Sequence, residues 1–295
     1  MKKFLFQLLT LISLLLISLV IINILLPYHY GNPLYGKKLK YFNQNIEYNA
    51  VCFGSSRIYR QIKPKSFNRS FSGINLFNFG LPAAYNPESY FLFENFINEL
   101  DSGRIEMAIL EIQLLDTIPK SNQNTIRSSY YNNDLVYVLN YIYDPSFDKS
   151  KTNVATRQYL YSYFYELFNF SKIKAFKNVL HNSKINGEDG FYSLDHNLKE
   201  TNSKILKERN LELKDSLTFK KRVSISAFST SDFEGSKPNM AHINQLLSLI
   251  KIAQDKGIDL YLLIPPRLKS YKEVLAIENS IPEYVINLGS SKLYP

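Results

Sequence analysis

Three residue types that usually build sites are scarce in this chain: one cysteine, four histidines and no tryptophan in 295 residues. A single cysteine, Cys52, excludes an intrachain disulfide. It lies inside an apolar run and reads as a small buried hydrophobe. The histidines (His29, His181, His196, His242) are scattered, and with one cysteine they offer no zinc-type ligand spacing. No metal or organic cofactor is expected. Charged residues make up 21% of the chain and hydrophobic ones 45%, a balance that excludes global disorder and supports a sizeable core. The formal charge of +9 fits either solvated lysines or contact with anionic headgroups and acidic wall polymer. The location inferred below argues against nucleic acid.

What is present begins with one long apolar run. Met1-Lys2-Lys3 precedes FLFQLLTLISLLLISLVIINILL, from Phe4 to Leu26, ended by Pro27. About 23 residues at 1.5 Å rise reach about 35 Å, enough to cross a hydrocarbon core of about 30 Å. Lys2 and Lys3 are the only charges on its N-terminal side, so the positive-inside rule puts the N-terminus in the cytoplasm. The run exceeds a signal-peptide h-region and no small-x-small site follows it. The expectation is an uncleaved single-pass anchor in a bacterial inner membrane, with the main domain extracytoplasmic. Residues 1–27 are then stub and anchor, 28–48 a juxtamembrane linker, and 49–295 the main domain.

That domain alternates strand and helix. Apolar runs at Ala50–Phe53, Ile74–Phe79 and Ile105–Ile112 end in Gly54, Gly80 and Gln113, with a helical pattern at Pro87–Leu100 between the last two. This is the pattern of a parallel sheet with crossover helices. From 117 to 236 the chain turns Tyr/Asn/Lys-rich and reads as a largely helical insertion. Alternation resumes with an amphipathic helix at 239–256, a strand at Asp259–Ile264, and a fifth strand at Tyr284–Leu288.

In open α/β sheets ligands sit at the carboxyl ends of the strands, and three strand ends here carry suitable groups. Gly54-Ser55-Ser56-Arg57 places a hydroxyl on a sharp turn. Gly80 allows close approach of backbone N–H groups, and Gln113 offers a side-chain amide. At these residues the chain resembles the SGNH/GDSL hydrolase superfamily, over about 49–116 and 239–288. The resemblance implies a flavodoxin-like three-layer α/β/α fold with a five-stranded parallel sheet. It implies Ser56 as nucleophile, Ser55 in place of the family's Asp, and Gly80 as an oxyanion donor. Gln113 stands roughly where the third-block Asn would sit. Arg57 reads either as a binder of a substrate carboxylate or phosphate, or as a packing residue.

The look-alikes with a Gly-Ser-Ser-Arg turn are membrane-anchored bacterial proteins that modify envelope polysaccharides. By resemblance, the expected activity is that of an esterase or O-acyltransferase on an extracytoplasmic glycan, with a membrane-bound O-acyltransferase as partner. The family's Asp-x-x-His block is not matched, since Gly289 to Pro295 carries neither residue. Either the chain stops short of that block, which is the working expectation, or it is a variant without the base. In the second case the domain is an inactive binding or scaffolding protein, so enzyme status stays open. Of the histidines, His196 could fold back over the site from the insertion, but it reads as a surface-loop residue, and none of the four takes the place of the missing base. His242 is expected at the opposite end of the sheet.

Overall fold

The computed structural model describes residues 2–25, 32–84, 86–112, 128–131, 134–147, 149–168, 189–192 and 240–263. The proposed fifth strand, Gln113, His29, His181 and His196 lie outside these residues. The chain divides into two compact units, one of residues 1–43 with 120–184, the other of 44–119 with 185–295.

The first unit opens with α1, Lys2–Leu25. Its stretch Lys2–Ile22 is long and apolar enough to cross a membrane, a property that a signal sequence shares. Next comes α2, Pro33–Gln44, where the sequence suggested only a linker. Its start follows helix rules: Asn32 Oδ1 accepts the Tyr35 N–H at 3.0 Å, and Pro33 occupies the first turn, where no amide donor is needed. Tyr35, Leu39 and Phe42 are its buried apolar side chains, at the 4- and 3-residue steps of one helical face. Within the expected insertion lie a short 3-10 turn at Ser128–Tyr130, α6 at Leu135–Ile142 and α7 at Lys149–Leu167. Asp134 caps α6, its carboxylate accepting from the Tyr137 amide.

The second unit is built on a parallel sheet of four strands: β1 Ala50–Phe53, β2 Leu76–Asn78, β3 Met107–Glu111 and β4 Asp259–Leu263. Their order is β2-β1-β3-β4. Helices α3 (Ser56–Gln61) and α4 (Pro64–Ser70) lead from β1 to β2, and α5 (Glu88–Glu99) from β2 to β3. Helix α8, Met240–Asp255, leads into β4 and packs on α5.

Alternation along β1 explains why its run is apolar throughout. Ala50 and Cys52 pack with Ile58 of α3 and Phe67 of α4 on one side. Phe53 points the other way, its ring 4.8 Å from Phe79 and 5.1 Å from Phe96 of α5. A parallel strand covered by helices on both faces has no solvent side, so every position favours an apolar residue. Cys52 is a buried thiol, as its context suggested.

Candidate functional site

The C-terminal ends of β1, β2 and β3 collect a group of buried polar side chains. β1 ends at Gly54, whose φ of +157 and lack of Cβ let Glu111 and Ile58 approach closely. The turn then starts α3 with Ser55 as N-cap. Ser55 is fully buried. Its hydroxyl accepts from the Arg57 amide at 3.3 Å and donates to Glu111 Oε1 at 3.0 Å. Its own N–H donates to Glu111 Oε2 at 2.6 Å. Both oxygens of a carboxylate from β3 therefore hold the turn after β1. Glu111 Oε1 also lies 3.8 Å from Arg57 Nη1.

These contacts separate the two serines. Ser55 is enclosed and committed to Glu111. Ser56, the first residue of α3, is half-buried, and no described residue hydrogen-bonds its hydroxyl. Arg57 is 29% exposed at its side chain, and its buried Nη1 has no hydrogen-bond partner among the described residues.

Asn78, at the end of β2, ties the second strand end to α3. Its amide nitrogen donates to Ile58 O and Ile62 O, each at 2.8 Å. Its Oδ1 accepts the Gly80 N–H at 2.8 Å. The Gly80 amide expected at an oxyanion is thus engaged with Asn78 in this structure. Gly80 is required sterically, because a Cβ there would overlap the Tyr59 backbone. Tyr90, on α5, buries its hydroxyl with no hydrogen-bond partner among the described residues. Burial pushes its phenol well above the ordinary value, and the charge of Glu111 adds to that.

Residues 189–192 return to this end of the sheet. Asp189 O accepts from the Asn78 amide at 2.8 Å, and the Tyr192 amide donates to Tyr59 O at 3.1 Å. The rings of Tyr59 and Tyr192 stack at 5.6 Å, with the Arg60 guanidinium over both. Burial raises the Tyr59 phenol to about 12 despite the opposing effect of Arg60. This short stretch of the expected insertion thus touches the helix that begins at Ser56.

His242 corrects an expectation. It was placed at the end of the sheet opposite the site, yet Asn86 Nδ2 meets its Nδ1 at 3.0 Å. Asn86 precedes α5, in the loop that leaves β2 past Gly80. The helix before a parallel strand runs antiparallel to it, so the start of α8 lies at the carboxyl end of the sheet. The C-terminus of α8 lies at the other end, where the Ile258 amide bonds Ala253 O just before β4.

Burial lowers the His242 pKa to about 3. The folded value lies below the unfolded one of about 6.5, so this stabilisation is full above pH ~6.5 and shrinks as pH falls toward 3. Each pH unit in that window costs up to about 1.4 kcal/mol. In urea titrations of the detergent-solubilised chain, wild type should lose about 2 kcal/mol more than His242→Asn between pH 7 and 5. Equal losses would show that His242 is not held neutral.

Glu111, Asn78 and residues 189–192 had no place in the site inferred from sequence. Glu111 carried the clearest signal, as an acidic residue closing an otherwise apolar strand. The described residues contain no group of three or more His, Cys, Asp or Glu that could hold a metal. Comparison of the chain with known protein families, with characterised proteins and with solved structures finds no match.

Proposed function

We propose that the second unit is an SGNH-like acyl-transfer domain of flavodoxin-like fold, held at a bacterial inner membrane by α1. Ser56 Oγ would attack the acyl carbonyl of an ester on an extracytoplasmic envelope glycan and form an acyl-serine, the ester C–O bond breaking and the glycan oxygen leaving as a hydroxyl with the proton that Ser56 gives up. Water or a second glycan hydroxyl would then take the acyl group. The observation that carries this reading is the division of labour in the turn after β1. Ser55 is locked onto Glu111, while Ser56 is only half-buried at the carboxyl end of the sheet.

Two features add support. The order β2-β1-β3-β4 is that of the first four strands of a flavodoxin-like sheet. The Ser56 N–H, in the first turn of α3, belongs to the amides that a helix leaves unpaired and that suit an oxyanion. The glycan, the acyltransferase partner and Gln113 as a further oxyanion donor rest on the family resemblance. Arg57, next to Ser56 in sequence and part-exposed at its side chain, suits a substrate phosphate or carboxylate.

A second reading is an inert glycan-binding or scaffolding domain of the same fold. The Gly80 N–H bond to Asn78 Oδ1 favours it. A fluorophosphonate probe separates the two. The full chain in detergent should be labelled at Ser56 and should hydrolyse an aryl acetate, and Ser56→Ala should lose both. Label on another residue, or turnover unchanged in Ser56→Ala, would sink the nucleophile assignment. A folded chain with neither label nor turnover is the result the inert reading requires.

A further inference from the structure

Helix α7 is apolar on two opposite sides. Ala155, Tyr159, Tyr163 and Leu167 are buried, at steps of four that trace one face. On the other side Val154, Tyr161, Phe164, Tyr165 and Phe168 are exposed, Tyr161 to 77% and Tyr165 to 65%. Steps of seven, four and three from 154 through 161 and 165 to 168 keep this set on one stripe. The stripe is graded along the axis. Its first half carries the exposed Arg157 and Gln158, while its second half presents four aromatic rings within about 11 Å of helix.

Three facts say what covers those rings. Helix α7 belongs to the same compact unit as α1 and is in contact with it, so a bilayer that holds α1 comes within reach of α7. The link from α1 to α2, residues 26–32, spans at most about 25 Å, which keeps the unit near the membrane surface. Tyrosine and phenylalanine backed by basic residues are the composition of a helix lying in the headgroup region. We infer that the Tyr161–Phe168 face of α7 is seated in the outer interface of the membrane that α1 spans, with Arg157 toward the headgroups. This inference rests on α1 being an anchor.

The absence of tryptophan gives the test a silent background. Single-tryptophan variants of the full chain are reconstituted in nanodiscs made with a mixture of lipids brominated near the top and near the end of the acyl chain, or with unbrominated ones. Leu14→Trp reports on α1, Tyr161→Trp on α7, and Phe71→Trp on an exposed position of the second unit. Bromination should cut the emission of the Leu14→Trp and Tyr161→Trp chains by about half or more and leave Phe71→Trp unchanged.

Quenching of Leu14→Trp alone would overturn the α7 assignment and leave the anchor standing. Quenching of neither would remove the anchor reading and this inference with it. A Tyr161→Trp emission that is blue-shifted in detergent, rises with protein concentration and ignores bromination would assign the face to a second copy and overturn the membrane. Phe168→Trp repeats the measurement one turn further along and should match Tyr161→Trp.

Discussion

Glu111→Ala should unfold the detergent-solubilised chain on the order of 10 °C earlier and abolish fluorophosphonate labelling of Ser56. The carboxylate is buried and accepts from the Ser55 N–H and the Ser55 hydroxyl, with Arg57 beside it. Truncation leaves two buried donors of Ser55 without partners, at about 1–3 kcal/mol each. The Arg57 contribution is smaller, since that side chain is part-exposed and screened by solvent. Glu111→Gln separates charge from shape. Its amide fills the same space, but its NH2 meets donors where an oxygen accepted before, so about half the destabilisation should remain. An Ala variant that melts within about 2 °C of wild type and labels normally would show that the turn holds itself.

That prediction could not have been written from the sequence, although most of the frame could. Strands at Ala50–Phe53, Met107–Glu111 and Asp259–Leu263 fall within a residue or two of their apolar runs, because a strand covered on both faces leaves an uninterrupted signal. Helix α8 was equally legible from its period. Two helices were not. α3 starts at Ser56 inside what reads as a turn, and its six residues are too few for periodicity. α2 was hidden because lysines interrupt its apolar face, although Asn32-Pro33 announces its start.

The preference for Ser56 over Ser55 came from a family pattern. What encloses Ser55 in the structure is a partner 56 positions away, and pairings at that range leave no local trace. His242 shows the opposite failure. Its helix was read correctly, yet its end of the sheet was not, although the direction follows from parallel topology alone.

Gly190→Ala should be strongly destabilising, and it isolates a contact that no local pattern foretells. Gly190 has φ +80, and a Cβ there would overlap the carbonyl oxygen of Asn78. Backbone cannot rotate aside as a side chain can, so residues 189–192 must lift. Lifting breaks the bond from the Tyr48 hydroxyl to Asp189 Oδ1 at 2.8 Å, both backbone bonds to Asn78 and Tyr59, and the Tyr59–Tyr192 stack.

Gly103 supplies the control. Its φ of +82 is nearly the same, with nothing within 4 Å of a would-be Cβ, so Gly103→Ala should cost only the left-handed strain of about 1–2 kcal/mol. Gly190→Ala should exceed that by at least about 2 kcal/mol, the sum of two or three lost hydrogen bonds. Hydrogen exchange should locate the difference, with the amides of Asn78 and Tyr192 exchanging faster in Gly190→Ala and unchanged in Gly103→Ala. If both variants lose the same stability and keep those amides protected, residues 189–192 do not clasp the start of α3, and the returning segment has no hold on the Ser56 turn.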